Sequence, residues 1–327
     1  MKKILISGIS GFAGSHYSQF LIDNVPDTEV HGLVRWRSPL DNIRHRLDKI
    51  HLHYGDLEDL PSLQKIINEI KPDFVAHLAA QSYVPYSFDA PIATLNVNCL
   101  GTCNLLEAIK SAKQNNICDP IVHIVSSSEV YGDTTPDEVP ITEDNPLRGA
   151  SPYGVSKICE DMLGMQYWLS YKIKIIRTRA FSHSGPRRGE VFVLSNFAKQ
   201  IAQIEIGLQE PVVSVGNLDS VRTFADVRDM VRAYWILLQQ CEPGEVYNIG
   251  GKATVTMRQM LKQLIAMSTF AGNMKVEVDP KRLRPSDVTL QVPCIDKFVK
   301  ATGWKPEITF AQTLQDTLGY WRDKLKR

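Results

Sequence analysis

The chain has 327 residues, 43% apolar and 22% charged, the ordinary composition of a globular enzyme with ample core. Its net charge of +1 supplies no global field toward nucleic acid or a membrane surface, and no apolar run is long enough to span a bilayer. Six cysteines without CxxC or His-paired spacing, and a start that goes directly into a strand, predict reduced thiols, no metal and a cytoplasmic protein.

The opening KKILISGISGFAGSHYSQFLI reads as a buried strand over Ile4–Ser7, a turn with Gly8, Gly11, Phe12 and Gly14 set against a cofactor, and then an amphipathic helix to about Leu21. Glycines let backbone approach a pyrophosphate, and a helix N-terminus receives its charge, so the order strand, glycine turn, helix predicts a dinucleotide site. Glu29–Val34 reads as the second strand. An NAD site often has an acidic residue at the end of that strand, but this chain has Arg35, Arg37 and Ser38. A guanidinium and a hydroxyl suit a 2′-phosphate, which favours NADP over NAD; a solvated basic loop is the alternative.

LHYGD ends the third strand and places Asp56 and Leu57 where an adenine would rest. Phe74–Ala80 reads as a fourth strand, buried on both faces, with Leu78 and Ala80 as cofactor contacts at its end. Ser82 lies in the following loop, as a contact to sugar or cofactor or as a cap or turn residue. A long helix is predicted over roughly Ala93–Gln114.

IVSSSEVYG reads as a strand running into a loop with Ser126, Ser127, Ser128 and Glu129; SPYGVSKICEDM reads as a helix with Tyr153 and Lys157. Four residues along a helix place Tyr153 and Lys157 on one face. A Lys ammonium favours the phenolate and lowers a tyrosine pKa that otherwise lies near ~10. Such a pair takes a proton from an alcohol, which oxidation of a hydroxyl to a ketone requires. A serine and a carboxylate beside it extend the chemistry beyond oxidation.

Strands and helices alternate, so the predicted architecture is α/β: a Rossmann-type, doubly wound parallel sheet with a smaller, discontinuous α/β substrate domain. The expected division is 1–181 with 221–251 for the cofactor domain and 182–220 with 252–327 for the substrate domain. The methionines of MRQMLKQLIAMS fall at core spacing.

The GxxGxxG turn, the serine–serine–glutamate loop and YxxxK together resemble the extended short-chain dehydrogenase/reductase superfamily acting on nucleotide sugars, from Lys3 to about Ile308. More narrowly, VRWRS, HYGDLEDLPSL, AAQSYV, SSSEVYG, PRRGEVFV, GNLDSVR, LRPSDV and TGWKPEIT resemble the GDP-mannose 4,6-dehydratase family. SNFAKQIAQIE and AYW are as similar to the related GDP-4-keto-6-deoxymannose reductases, which also have a serine–serine–glutamate loop, so the loop alone does not decide; Arg35–Ser38 and PRRGE favour the dehydratase resemblance.

The resemblance implies a GDP-sugar substrate, NADP and a homodimer or homotetramer. It implies that Tyr153 removes the sugar 4-hydroxyl proton as hydride leaves C4, with Ser127 and Lys157 polarising that oxygen. Glu129 then acts as base at C5 and as acid at the departing 6-hydroxyl. It places His183 and Arg188 against the cofactor, with Arg187 and Arg188 reaching phosphate across a subunit contact or standing solvated. It gives Ser82, Ser128, Ser182, Lys199, Gly216, Arg222, Arg284 and Asp287 to the substrate, with Lys199, Arg222 and Arg284 at phosphate. The family carries threonine where Ser127 stands and asparagine where Ser182 stands, which leaves the sugar open between mannose and a manno-configured heptose. A reductase, an epimerase and a non-catalytic NADP sensor are the other readings of the same pattern.

Overall fold

The structure is a computed structural model that describes residues 1–283 and 288–326. Its strands, in chain order, are β1 (Lys2–Ser7), β2 (Thr28–Val34), β3 (Ile50–Tyr54), β4 (Phe74–His77), β5 (Ile121–Ser127), β6 (Ile175–Ala180), β7 (His183–Ser184), β8 (Val212–Val215), β9 (Val221–Asp226), β10 (Val246–Ile249), β11 (Ala253–Thr256), β12 (Lys275–Val278) and β13 (Leu290–Gln291).

Side chains alternate across a strand, and here both faces are apolar. Ile4, Ile6, Phe74 and Ala76 join one core; Leu5, Val75, Val122 and Ile124 join another on the opposite face. Two covered faces require a parallel sheet with crossover helices, and the main sheet runs β10-β6-β5-β4-β1-β2-β3 with every pairing parallel. The helix Leu60–Ile70 shows how its covering is encoded: Leu63, Ile66, Ile67 and Ile70 are buried, at the i, i+3, i+4, i+7 spacing of a single face. The direction of winding reverses between β1 and β4, where such sheets open a crevice at their carboxyl ends.

The fourth strand ends at His77, three residues short of the predicted Ala80, so Leu78 and Ala80 belong to the loop above it. The long helix spans Pro91–Leu95, a π turn at Asn96–Leu100, and Gly101–Gln114.

The smaller part holds a third core formed by the helices Val193–Glu205, Met257–Ala266 and Phe310–Leu325, in which Met257 and Met260 are buried as their spacing predicts. Its central strand, β9, pairs with β7, β11 and β13. Residues 221–226 therefore lie in the small sheet, whereas the sequence division gave them to the cofactor domain; the main sheet is rejoined by the helix Val227–Gln240 and by β10. Among the described residues no helix is long and apolar enough to cross a membrane.

The helix that carries Tyr153 and Lys157 spans Pro152–Tyr171 and is fastened to β6 by buried charges. Asp161 accepts from Arg177 at 2.6 Å and from Arg179 at 2.8 Å. Arg179 also donates to Tyr131 Oη at 3.0 Å and to the Glu143 carbonyl at 2.8 Å, which ties in the loop beyond β5. The shared Asp161 carboxylate offsets much of the desolvation of these charges, although Arg177 Nε is left buried without a partner among the described residues, and the bonds converging on that carboxylate fix the helix against the sheet.

Candidate active site

A cleft of about 1730 Å³ lies over the carboxyl ends of the main sheet and extends under the small one. A single drug-sized ligand occupies roughly 300–1,000 Å³, so the space accommodates two. Gly8, Gly11, Phe12, Gly14, Arg35, Ser38, Asp56, Leu57, Leu78 and Ala80 line one end. Ser82, Ser127, Ser128, Glu129, Tyr153, Lys157, Ser182, His183, Arg188, Gly216 and Arg222 line the rest.

The glycine turn is a cradle that other residues would fill. Gly8 has φ +72°, and a Cβ there would lie 2.9 Å from the Ala79 backbone; a Cβ on Gly14 would lie 2.3 Å from the Gly8 carbonyl oxygen. The helix Phe12–Asn24 starts at Gly11 without a side-chain cap, leaving its first N–H groups for an anion. The opposite wall is held by a chain of neutral groups. Ser7 Oγ accepts from the Leu78 and Ala79 amides, both at 3.1 Å, and lies 2.8 Å from His77 Nδ1. His77 Nε2 lies 2.9 Å from Thr102 Oγ1, which donates to the Asn98 carbonyl. Burial pushes the His77 pKa down to about 3, so the link stays uncharged at neutral pH. At the end of β2, the Arg35 amide donates to Ser38 Oγ at 3.1 Å with the guanidinium exposed, while Arg37 stacks on Trp36 at 4.3 Å.

At the centre, Tyr153 and Lys157 are 8% and 5% exposed, and the ammonium lies 5.9 Å from the phenol ring centroid. Lys157 Nζ donates to the Val125 carbonyl at 3.0 Å and to Glu160 Oε2 at 2.8 Å. Ser127 stands close enough to the Tyr153 phenol to favour its ionised form, and its Oγ accepts from the Glu129 amide at 3.2 Å. Gly154 permits this closeness: a Cβ there would come within 2.9 Å of the Glu129 carbonyl oxygen. Glu129 is half-buried, its backbone in the 3-10 turn Ser128–Tyr131.

The protein alone corrects the expectation of a lowered tyrosine pKa. Burial holds the Tyr153 phenol above its ordinary value, against the opposing pull of Lys157 and Ser127. A further positive charge close to the phenol would complete the lowering, and an oxidised nicotinamide bound in this cleft would supply one.

On the substrate side, Ser128 Oγ donates to Gln291 Oε1 at 2.9 Å, and both side chains are buried. Arg222 donates to the Val221 and Val288 carbonyls and so lies across β9 and the segment before β13. His183 stacks on Phe12 with ring centroids 5.9 Å apart, and burial pushes its pKa down to about 4. Arg188 packs on the Phe192 and Phe12 rings at 3.5 and 4.7 Å, and burial pushes its pKa down to about 10. Arg187 turns back onto the first helix, toward Ser15 at 3.4 Å and Gln19, so neither arginine stands as a fully solvated charge within the chain. Lys199 departs from its expected place: its ammonium pairs with Glu190 and lies 5.5 Å from the Trp321 ring, outside the residues that line the cleft. Arg284 and Asp287 lie outside the described residues.

Gln291 and Tyr234 line the cleft, and Asn98 braces its wall from behind, without having been singled out in the sequence. Gln291 lies far along the chain, in a two-residue strand; the glutamine of LQV, just after LRPSDV, is its only local signal. Asn98, in the π turn, accepts from the Gln81 amide at 2.8 Å and donates to the Gln81 carbonyl and to Ser156 Oγ, binding the Ser82 loop to the Tyr153 helix. Tyr234 reaches the cleft floor from the helix Val227–Gln240.

A Rossmann-type cleft with a Tyr–Lys pair, a serine and a carboxylate defines a nicotinamide-dependent enzyme of the short-chain dehydrogenase/reductase class. The family model described as GDP-mannose 4,6 dehydratase matches residues 5–317, and the chain belongs to that family. It is 33% identical to the GDP-mannose 4,6-dehydratase of Yersinia enterocolitica, over 94% of this chain and 91% of that one. It is also 33% identical to the GDP-6-deoxy-D-mannose reductase of Pseudomonas aeruginosa, over 99% of each. Among solved structures, RMD from Pseudomonas aeruginosa complexed with NADPH superposes with a TM-score of 0.85 at 31% identity, covering 99% of this chain and all of that one.

Proposed function

We propose that the protein is an NADP-dependent GDP-sugar 4,6-dehydratase that converts GDP-mannose, or a GDP-manno-heptose, to the 4-keto-6-deoxy sugar. The observation that carries this reading is Glu129 in the same cleft as the Ser127–Tyr153–Lys157 cluster, on the backbone that Ser127 itself anchors. Oxidation needs only the pair; removal of water needs a carboxylate as well.

The residues present fit the cofactor. The Gly8–Gly14 cradle and the first helix N-terminus receive the pyrophosphate, Arg35 and Ser38 the 2′-phosphate, and Lys157 the nicotinamide ribose. When bound, NADP+ supplies a hydride acceptor that returns the hydride within one turnover. Tyr153 takes the proton of the sugar 4-hydroxyl, while Ser127 donates to that oxygen. The new ketone acidifies C5–H. Glu129 removes that proton and then, as a carboxylic acid, protonates the departing 6-hydroxyl, which leaves as water; hydride returned to C6 would leave C5 to regain one proton, which balances the one Tyr153 took and restores the site. Arg222 and Gly216 lie on the diphosphate side of the cleft.

The test is incubation with GDP-mannose and NADP+ without reductant. Loss of one water with no net change in cofactor absorbance is expected, and a GDP-heptose run beside it compares the sugars. The end-to-end match to the Pseudomonas aeruginosa reductase favours the reductase as the second reading. Turnover only of the 4-keto-6-deoxy sugar with NADPH would establish that reading instead.

Arg35→Asp is expected to weaken NADP+ binding by about tenfold or more, the loss of one charge-assisted contact, with little effect on NAD+. Equal losses for the two in calorimetric titration would reject the 2′-phosphate role.

An exposed apolar stripe supports a homodimer or larger assembly. Val155, Met162 and Leu169 recur every seven residues along the Tyr153 helix and are exposed, with Ile92 and Leu100 exposed on the adjoining helix. Met162→Glu is expected to shift the protein from dimer or larger to monomer in size-exclusion with light scattering; an unchanged mass would remove this face from the assembly. Six free thiols agree with a cytoplasmic enzyme.

A further inference from the structure

Resting on the dehydratase reading of the same site, we infer that Glu160 is a positioning residue for the Tyr153–Lys157 pair, one that holds and partly neutralises the Lys157 ammonium from behind. An ammonium has three N–H donors. Two of them are committed, to the Val125 carbonyl at 3.0 Å and to Glu160 Oε2 at 2.8 Å, so the third is left for the cleft, which Lys157 lines. Glu160 sits one helical turn beyond Lys157, and the two side chains are 1% and 6% exposed. The second carboxylate oxygen, Oε1, has no hydrogen-bond partner among the described residues, so the carboxylate is committed to Lys157. A buried carboxylate kept with a single partner has a reason to be there beyond packing.

The consequence for chemistry is electrostatic. Lys157 favours the Tyr153 phenolate, and a carboxylate beside Lys157 weakens that effect. Burial disfavours the Lys157 ammonium, and Glu160, Tyr153 and Cys99 together more than offset it, so the lysine stays charged; burial holds the Glu160 carboxyl above its ordinary value while Lys157 pulls the other way. The groups that face this cluster come from every neighbouring element. Asp161 and Cys159 lie on the same helix, Cys99 on the π turn, and His77 on β4. Around Tyr153 are Ser127 and Glu129, together with Arg188 from the loop after β7 and Tyr234 from the helix Val227–Gln240. Of the carboxylates, Glu160 is the one in contact with Lys157. It therefore sets how strongly the lysine acts on the phenol, while Glu129 is left for the sugar.

Glu160→Gln keeps an acceptor for Nζ and removes the charge; Glu160→Ala removes both. The phenolate absorbance of the protein is titrated with and without NADP+, with Tyr153→Phe subtracted, and the pH profile of kcat is measured for GDP-mannose. Glu160→Gln is expected to lower the Tyr153 midpoint and the acid limb of kcat by about one pH unit, with its plateau kcat near that of the wild type. Glu160→Ala is expected to lower plateau kcat about tenfold, which Gln rescues, because Nζ loses its anchor. A wild-type midpoint in Glu160→Gln overturns the inference, and that variant decides the question alone if Glu160→Ala does not fold. A shifted phenolate midpoint in a protein that leaves GDP-mannose unchanged upholds Glu160 and rejects the substrate; turnover with an unshifted midpoint does the reverse.

Discussion

Replacing Tyr153 with Phe is expected to reduce turnover of GDP-mannose about a thousandfold, the scale of general acid–base catalysis, while sugar-nucleotide affinity stays largely unchanged. The phenol is in the right place and in the wrong protonation state until the site is filled. Burial raises its pKa, and Lys157 and Ser127 pull it down without prevailing in the protein alone. Only the hydroxyl is lost in Tyr153→Phe; the ring that packs below Lys157 remains. The first proton therefore has no acceptor, so neither reduced-nicotinamide absorbance nor loss of water should follow mixing with substrate. Persistence of the absorbance change at the wild-type rate would show that another group takes the 4-hydroxyl proton, and Tyr234, on the cleft floor, would be the first alternative.

Much of this arrangement is legible in the sequence because it is local. The strand–glycine–helix order and the Tyr153–Lys157 spacing each depend on a few adjacent residues, and backbone geometry turns such spacing directly into position. The alternation of apolar strands and amphipathic helices is local in the same sense, and it suffices for a doubly wound sheet.

What was not legible depends on long-range packing. Lys199 has the charge for a diphosphate, but Glu190, nine residues earlier, takes it. Gln291 reaches Ser128 across 163 positions, a pairing that no local pattern encodes. The sign of the Tyr153 shift also escapes the sequence: i,i+4 spacing announces the lysine but says nothing of how much water the fold removes. Likewise β9 reads as the approach to a helix that returns to the main sheet, and only its pairing with β11 and β13 assigns it to the small one.

Glu129→Gln is expected to separate the two halves of the reaction. Gln keeps the size of the side chain and the backbone bond to Ser127, so Tyr153, Ser127 and Lys157 stay as they are. Oxidation at C4 should then proceed, slowed but measurable, and reduced-nicotinamide absorbance should rise and persist after mixing with GDP-mannose. Elimination should fall about a thousandfold, because an amide neither removes the C5 proton nor protonates the departing hydroxyl. Product mass should therefore show no loss of water where the wild type shows one. This signature is the inverse of Tyr153→Phe, which yields neither signal, and the contrast assigns one proton to each residue. Undiminished dehydration by Glu129→Gln would remove the carboxylate from the mechanism. The site would then be left with oxidation and reduction at C4 alone, and the relationship to the reductases would become the better guide to what the protein does.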